Sequence, residues 1–308
     1  MKGKRVLVAG GAGFIGSHLC RRLLRDGADV VCVDSLITGR AENVRDLDRG
    51  FAFVQRDVSD RVEVDGRFDV VFNLASPASP IDYAAHPLET LRVCSAGTLN
   101  LLEFARRAGA VCVLASTSEV YGDPETHPQV ETYWGHVNPV GPRSPYDEGK
   151  RFSEAAAMAY DRLDLATVRI ARIFNTYGPG MRSGDGRMIP TFISQALTGE
   201  PLTVYGDGSQ TRSLCFVTDM VEGLIALSRA PRPGPYNIGN PDERTVLDVA
   251  KLILEFTRSK SRIEFKPLPQ DDPRRRCPDI SRAKQDLRWT PRVPLREGLA
   301  ATIESCRK

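Results

Sequence analysis

The segment that decides the fold is RVLVAGGAGFIG, which occupies residues 5–16. Its first five residues are apolar except for Arg5, as in a buried strand, and a helical pattern runs from Phe14 to Arg25 after the glycines. Glycine suits this turn because the turn is tight and a diphosphate must approach the backbone closely. The helix N-terminus then offers free N–H groups to the anion. The segment therefore predicts a dinucleotide site.

The rest of the first half alternates apolar runs with helical patterns. Helices are predicted over Leu88–Ala108, which stops at Gly109, and over Tyr146–Leu163. The apolar runs predict strands at Arg5–Ala9, Asp29–Val33, Phe51–Val54, Asp69–Asn73, Val111–Ala115 and Ala166–Ala171. Apolar strands separated by helices indicate a parallel sheet covered on both faces. We therefore predict a doubly wound, Rossmann-type α/β fold.

The pattern changes after Arg172, where proline and glycine become frequent and the apolar runs shorten. Further helices are predicted over Ile189–Leu197, Asp219–Ala230 and Val246–Phe256. We therefore divide the chain into a dinucleotide-binding domain (residues 1–172) and a smaller C-terminal α/β substrate lobe (residues 173–308). The lobe is expected to close over the carboxyl edge of the sheet, where ligands bind in such folds. Residues 213–230 are expected to return to the first domain.

Composition limits the classes of function. With 308 residues, of which 41% are hydrophobic and 26% charged, the chain can bury a core without metals or disulfides. Its formal net charge of +3 lacks the concentrated basic surface of a nucleic-acid-binding protein. The run Arg274–Arg276 is the local exception, and it is read either as a solvated turn or as a phosphate clamp.

The cysteines and the N-terminus indicate a compartment. Seven scattered cysteines, with no CxxC pair and no histidine cluster, argue against a zinc site and fit a reducing environment. The first residues lead directly into a strand, and no apolar run approaches the roughly 20 residues that span a bilayer. We therefore expect a cytoplasmic protein that uses no metal and contacts neither membrane nor nucleic acid.

Polar and small residues at the ends of strands extend the dinucleotide site. Asp34 ends the second strand about 20 residues after the glycines, where an acid binds a ribose hydroxyl and repels a 2′-phosphate. This position favours NAD over NADP, and a simple turn residue is the alternative. Residues 57–58 and 74–76 follow the next two strands, either as cofactor contacts or as plain loops. The cofactor-binding candidates are Gly10, Gly13, Phe14, Ile15, Gly16, Asp34, Asp57, Val58, Leu74, Ala75, Ser76, Tyr146 and Lys150.

Tyr146 and Lys150 form the candidate catalytic pair. Their i, i+4 spacing places both on one face of a helix, where an ammonium group lowers the pKa of a nearby phenol. Such a tyrosine can remove a proton from a sugar hydroxyl, although a surface pair is the default reading of this spacing. The segment STSEVYG at residues 116–122 ends the fifth strand, so its hydroxyls are expected in the same cleft.

The glycine motif, the STSEVYG segment and the Tyr146–Lys150 pair together resemble the extended short-chain dehydrogenase/reductase family, essentially from end to end. Within that family, several stretches are similar to UDP-glucuronate decarboxylases. These are LASPASP (74–80), ETYWG (131–135) with Asn138-Pro139, GPRS (141–144), YDEGKR (146–151), RIFNTYGP (172–179), LTVYGDG (202–208) and QTRS (210–213).

The resemblance implies a role for each matching residue. Tyr146 would be the base, Lys150 its partner and a ligand of the nicotinamide ribose, and Thr117 the hydroxyl that holds the sugar. Glu119 would correspond to the acid that decarboxylases use near C5 and the sugar carboxylate. The substrate-binding residues would be Asn175 and Arg212 at the diphosphate, Tyr205 near uracil, and Arg276 at the phosphates or carboxylate, together with Tyr83 and Arg187.

The implied reaction is NAD-dependent conversion of UDP-glucuronate into UDP-xylose. Oxidation at C4 makes a β-keto acid, which loses carbon dioxide readily because the carbanion delocalises as an enolate. Partial release of UDP-4-keto-xylose is a further outcome. The resemblance also implies a homodimer formed through the Leu88–Ala108 and Tyr146–Leu163 helices; alternatively, their apolar faces only cover the sheet.

Four positions at three sites depart from the decarboxylase pattern, and three other functions stay open. Gly180 replaces a usual arginine, with Arg182 close by; Pro190-Thr191 replaces Ser-Asn; and Cys94 replaces asparagine. The nearest alternatives are a nucleotide-sugar 4-epimerase, which usually lacks the acid at position 119, and a 4,6-dehydratase, which carries Asp-Glu where this chain has Ser118-Glu119. A non-catalytic NAD-binding regulator is more distant, because it has no need of Tyr146 as a base.

Overall fold

The computed structural model describes residues 1–268 and 274–307. In these residues the strands are β1 (Arg5–Ala9), β2 (Asp29–Asp34), β3 (Phe51–Gln55), β4 (Val70–Asn73), β5 (Val111–Thr117), β6 (Val168–Ile173), β7 (Thr176–Tyr177), β8 (Leu202–Tyr205), β9 (Thr211–Ser213), β10 (Cys215–Phe216), β11 (Tyr236–Ile238), β12 (Glu243–Thr245) and β13 (Ile263–Lys266). The α-helices are α1 (Phe14–Arg25), α2 (Pro80–Ala85), α3 (Pro87–Arg92), α4 (Thr98–Ala108), α5 (Ser144–Arg162), α6 (Met188–Thr198), α7 (Val217–Leu227), α8 (Val246–Thr257), α9 (Ser281–Leu287) and α10 (Leu295–Cys306).

A seven-stranded parallel sheet organises the molecule. Its strand order is β11-β6-β5-β4-β1-β2-β3, with β1 paired to β2 on one side and to β4 on the other. The strand order reverses at β1, and ligands bind beyond the carboxyl ends of the strands at such a switch point. The prediction of a doubly wound Rossmann-type fold is confirmed. The seventh strand, β11, was not predicted because its three residues are too few to show a periodicity.

Helices cover both faces of the sheet. Along β1, Val8 joins one apolar cluster and Leu7 joins the opposite one, as the two-residue period of a strand requires. The Val8 cluster includes Leu19 of α1 and Leu224 of α7, so part of the 213–230 segment packs against the first helix and the sheet. A third cluster lies apart from the sheet and is built by α6, α8, α10 and β8.

The helix predicted over Leu88–Ala108 differs from the structure. Residues 93–97 carry π-helical hydrogen bonds between α3 and α4, while Gly109 ends α4 in a left-handed conformation, as expected. A π turn changes which backbone groups are paired. Here the Ser153 hydroxyl of α5 donates to the Cys94 carbonyl oxygen at 2.7 Å. Hydropathy cannot distinguish this turn from ordinary α-helix because the apolar face continues through it.

Membrane insertion has no support from the helices. Within residues 1–268 and 274–307, none of them is both long enough and apolar enough to cross a bilayer.

Substitution of Leu224 tests the packing of α7 on the sheet. Leu224 is fully buried, so we expect Leu224→Ala to lower the free energy of unfolding by about 2–5 kcal/mol through lost transfer energy and a residual cavity. Thr218→Ala on the exposed side of α7 is the control and should change the free energy of unfolding by less than about 0.5 kcal/mol. Urea denaturation measures both; equal effects would show that α7 does not belong to this core.

Candidate active site

The loop between β1 and α1 leaves room for a ligand beside its backbone. Gly10 has a φ of +76°, and a Cβ at this position would lie 2.8 Å from the Ala75 nitrogen. A Cβ on Gly16 would lie 2.1 Å from the Gly10 oxygen, so α1 packs directly on the loop. The helix begins immediately after Gly13, which directs its free N–H groups towards the loop. This cradle suits a diphosphate.

Most of the predicted cofactor residues line one cleft. They are Gly10, Gly13, Asp34, Asp57, Val58, Leu74, Ala75 and Ser76. Phe14 and Ile15 lie at the start of α1 and pack elsewhere: the Phe14 ring meets the His18 ring edge-on, and Ile15 packs against the core. The cleft residues fit a dinucleotide, because an acid, a glycine loop and a helix N-terminus meet at one sheet edge.

Asp34 is held in place before any ligand binds. One carboxylate oxygen accepts a hydrogen bond from the Ala12 N–H and the other from the Leu36 N–H, both at 2.9 Å. Burial raises the pKa of Asp34, and these two bonds oppose the shift. The carboxylate is therefore oriented towards the cleft by the backbone of the glycine loop itself.

Tyr146 and Lys150 lie on one face of α5, as predicted, but the pKa of the phenol shifts the other way. Burial raises the pKa of Tyr146, and a hydrogen bond with the Thr117 hydroxyl only partly opposes it. Lys150 donates to the Ala115 carbonyl oxygen at 2.9 Å, with its ammonium 5.8 Å from the centre of the Tyr146 ring. Burial also lowers the pKa of Lys150. The expected lowering of the phenol pKa is absent because burial of the phenol is the largest cause of its shift.

The end of β5 presents the other predicted groups. Thr117 ends the strand, and its hydroxyl oxygen accepts a hydrogen bond from the Glu119 N–H at 3.2 Å. Residues 118–121 then form a 3-10 turn, which places Glu119 beside Thr117 and near the Tyr146 helix. Tyr83 of α2 stacks on the Tyr146 ring with centroids 5.2 Å apart. Thr117, Glu119, Tyr83 and Tyr146 therefore lie together at the carboxyl edge of the sheet.

Glu119 forms an ion cluster with two arginines, in which Glu119 and Arg143 are half-buried and Arg276 is buried. Arg143 Nη2 lies 2.5 Å and Arg276 Nη2 lies 3.2 Å from the same carboxylate oxygen, Oε2. Burial would raise the pKa of Glu119, but the charges of Arg276 and Arg143 outweigh it and hold the pKa at about 2. Glu119 is therefore a carboxylate at neutral pH and has no proton to give. Arg276 is 1% exposed and also donates to Ser118 Oγ at 2.8 Å.

Sequence reasoning missed two members of this cluster. Arg143 stands within the GPRS stretch before α5, but nothing in its spacing shows that it faces Glu119. Asp147 is 5% exposed, and its carboxylate lies 3.9 Å from Arg143 Nε. Burial and the nearby Glu119 charge raise the pKa of Asp147 to about 7. The only sequence signal for Asp147 was its place directly after Tyr146.

The remaining predicted substrate residues are spread more widely. Arg212 is half-buried, and its charge contributes to the low pKa of Glu119. Asn175 is half-buried, and its carbonyl oxygen accepts the Cys215 N–H at 2.9 Å. Tyr205 is 44% exposed at the end of β8. Arg187 instead pairs with Asp185, and its guanidinium lies 6.0 Å from the Phe14 ring centre.

The three departures from the decarboxylase pattern have distinct surroundings. Gly180 is exposed with a φ of +84°, and the nearby Arg182 is paired with Asp82 at 2.6 Å. Thr191 lies in the first turn of α6. Cys94 is buried, with its sulfur 3.7 Å from the Ser76 hydroxyl and close to Gly149 of α5. Cys94 therefore joins the cofactor cleft to the catalytic helix.

Comparison with known families places this arrangement in a class. Residues 6–239 match the NAD dependent epimerase/dehydratase family, and the chain belongs to that family. The resemblance to extended short-chain dehydrogenase/reductases is confirmed. Among curated relatives, UDP-glucuronic acid decarboxylase 1 of Danio rerio is 52% identical over 98% of this chain and 72% of its own length. UDP-glucuronic acid decarboxylase 2 of Arabidopsis thaliana is 51% identical over 100% of this chain and 69% of its own length.

Solved structures share the same fold. UDP-glucose 4-epimerase from Thermotoga maritima, bound to UDP-glucose, is 30% identical with a TM-score of 0.90 and 98% coverage of both chains. UDP-glucuronic acid 4-epimerase from Bacillus cereus, bound to UDP-glucuronic acid and NAD, is 26% identical with a TM-score of 0.86, covering 98% of this chain and 99% of its own.

The low pKa of Glu119 makes its contribution to stability depend on pH. Its folded-state pKa lies below the ordinary value, so the contribution is present above pH 4.5 and is lost as the pH falls towards about 2. Glu119→Gln removes the anion between two guanidiniums and should lower the free energy of unfolding by about 3 kcal/mol near neutral pH.

The difference in free energy of unfolding between wild type and Glu119→Gln should become smaller as the pH is lowered from about 6 to about 3.5, as measured by urea denaturation. Glu148→Gln, at a half-exposed position of α5, is the matched control and should differ little from wild type at either pH. A gap that stays constant over this range would contradict the ionised state assigned to Glu119.

Proposed function

We propose that this chain decarboxylates UDP-glucuronate to UDP-xylose through a UDP-4-keto intermediate, releasing some UDP-4-keto-xylose on the way. The observation that carries the proposal is the pair of guanidiniums of Arg143 and Arg276, held on Glu119 beside the Thr117 and Tyr146 hydroxyls. A sugar whose C4 hydroxyl meets those two hydroxyls brings its C5 and carboxylate next to the arginines. Curated relatives that are 47–52% identical carry the name UDP-glucuronic acid decarboxylase.

NAD is the proposed cofactor, held by the glycine loop and the cleft beside it. Asp34 would bind the adenosine ribose hydroxyls, and the start of α1 the diphosphate. Lys150 and Tyr146 would contact the nicotinamide ribose. NAD, when bound, accepts the C4 hydride and later returns it. The family name and the NAD-bound epimerase structure support this assignment.

The side chains around C4 manage the proton and the oxyanion. The Tyr146 phenol must lose its proton to act as base, and the Lys150 ammonium lies 5.8 Å from the centre of its ring. Once the C4 ketone forms, the C6 carboxylate is lost as carbon dioxide, because the C5 carbanion delocalises onto the C4 oxygen. Thr117 and the reprotonated Tyr146 donate hydrogen bonds to that oxyanion.

Glu119 serves this reaction as a charged group. Because it is ionised, the proton that C5 requires comes from a water that the carboxylate orients, and the hydroxide left behind takes a proton from bulk solvent. Its negative charge also keeps Arg143 and Arg276 in place, so that they can meet the substrate carboxylate without rearranging. Planar guanidiniums suit carboxylate recognition for this purpose.

The division of the chain remains part of the proposal. Residues 1–172 would bind NAD, with a return near 213–230, and residues 173–308 would bind the UDP moiety through Asn175 and Arg212 at the diphosphate and Tyr205 near uracil. Tyr83 and Arg187 would complete the substrate site. A cytoplasmic location and the absence of nucleic-acid partners stay predictions.

Mass spectrometry of the nucleotide sugar tests the activity. With NAD and UDP-glucuronate, the wild type should yield UDP-pentose, while UDP-glucose and UDP-galactose should stay unchanged. Tyr146→Phe should lower the rate by about 10²–10⁴-fold because the base is lost. Tyr160→Phe, on the same helix, is the matched control and should retain activity. A hexose that is epimerised or dehydrated, with UDP-glucuronate left intact, would overturn the proposal.

We also propose that the chain forms a homodimer through α3, α4 and α5. Large apolar side chains are exposed on these helices, with Leu88 at 64%, Leu91 at 40%, Leu99 at 39% and Phe152 at 44% exposure. Exposure of these apolar side chains to water on adjoining helices is unfavourable. This supports the proposal that a second copy of the chain packs against them.

Light scattering after size exclusion tests the dimer. The wild type should have twice the mass of the 33.9 kDa chain. The double variant Leu91→Glu/Phe152→Glu should be a monomer, since four carboxylates would be buried per dimer. Leu268→Glu, at an exposed site outside these helices, should remain a dimer. A wild-type monomer would contradict the proposal.

A further inference from the structure

Three potential metal ligands from distant parts of the chain meet beside the active site. They are His127, Glu243 of β12 and Cys277, and their ligand atoms all lie within 4.8 Å of one another. Motif spacing gives no sign of this group, because its members are separated by 116 and 34 residues. The expectation that the chain has no zinc site rested on spacing alone.

The backbone around the three residues is firmly connected. Gln129, two residues after His127, donates its N–H to the Cys277 carbonyl oxygen, and its side-chain oxygen accepts the Cys277 N–H, each at 2.8 Å. Glu243 belongs to an antiparallel pair in which it faces Ser213 of β9. The backbone of Cys277 is therefore tied to the segment that follows His127, and Glu243 is held in a strand pair, by contacts made independently of the three ligand side chains.

One imidazole nitrogen of this group has an unused lone pair or proton. His127 Nε2 lies 3.0 Å from a Glu243 carboxylate oxygen, whereas His127 Nδ1 is buried and has no hydrogen-bond partner within the described residues. A buried polar atom without a partner is costly, and a bound ion is one of its ordinary explanations. The Cys277 sulfur makes weak contacts, one of 3.5 Å with the Pro241 carbonyl oxygen and one with the Ser213 hydroxyl.

The ligand types select the ion. An imidazole, a carboxylate and a thiolate form a mixed nitrogen, oxygen and sulfur set, which suits Zn²⁺ and not Mg²⁺ or Ca²⁺. Thiolate and carboxylate together supply two negative charges, which balance the divalent cation. Glu243 also accepts from the Thr211 hydroxyl and lies 4.0 Å from Arg275 Nε, but Arg275 is 59% exposed and can turn to solvent.

We propose that His127, Glu243 and Cys277 bind one Zn²⁺ ion per chain, with water as the fourth ligand of a tetrahedral site. Binding replaces the Cys277 thiol proton, which is released to solvent. Cys277 directly follows Arg276, which contacts Glu119, so the ion ties the arginine segment to β12. Zinc therefore acts on the geometry of the active site from outside it and takes no part in the reaction.

Competition against a chromophoric zinc indicator tests the site on the full chain, stripped with a chelator, kept reduced and free of nucleotide sugar. Wild type should bind one Zn²⁺ per chain. Cys277→Ser and His127→Gln should each weaken binding by more than about 100-fold, which exceeds the usual cost of losing an outer-shell partner. Cys306→Ser, which changes the exposed cysteine of α10, should bind like wild type.

Co²⁺ provides a second measurement that reports the sulfur ligand. The wild type with Co²⁺ should show thiolate-to-cobalt charge-transfer absorption, and Cys277→Ser should lack it, with circular dichroism confirming that the variant is folded. Absence of stoichiometric binding to wild type, or equal binding by Cys277→Ser and Cys306→Ser, would overturn the site. Neither the zinc nor the cobalt measurement needs catalysis. Failure of the zinc proposal therefore leaves the proposed decarboxylation unaffected, and failure of the decarboxylation leaves the zinc proposal unaffected.

Discussion

The ion cluster of Glu119 with Arg143 and Arg276 is the interaction on which the site depends. A lone buried carboxylate is costly, and the charges of both guanidiniums favour the ionised form of this one. The three residues come from the end of β5, the start of α5 and the C-terminal part of the chain. The cluster therefore forms only when these three regions are in place together. It makes the catalytic pocket a consequence of the completed fold.

The sheet supplies the frame in which these regions meet. Because β1, β4 and β5 are parallel neighbours, the glycine loop, the cofactor cleft and the Thr117 turn all lie at one carboxyl edge. Close packing fixes their separation: Gly10 touches the backbone after β4, and Cys94 lies between Ser76 and Gly149. Positions around the cofactor and the sugar are therefore linked through backbone contacts that tolerate no added side chain.

Local sequence pattern was sufficient to predict much of the fold and part of the candidate active site. The first six strands, α1 and α5 follow from apolar runs, glycine stops and helical periodicity, and the Tyr146–Lys150 pair follows from its spacing. The three-residue strand β11 and the π turn at residues 93–97 carry no such signal. The contact of Arg143 with Glu119 and the proximity of His127 to Cys277 arise from tertiary structure, so local sequence pattern does not indicate them. The pKa of Tyr146 was misjudged because spacing shows a neighbouring charge but not the burial that opposes it.

The fate of the C6 carbon separates the proposed reaction from its nearest relatives in the same fold, since a 4-epimerase acting on UDP-glucuronate retains that carbon. UDP-glucuronate labelled with ¹³C at C6 should therefore be followed with the wild-type protein and NAD. The account predicts one labelled carbon dioxide for each UDP-glucuronate consumed and no label in the nucleotide-sugar product. Label retained in a UDP-hexuronate product would contradict it.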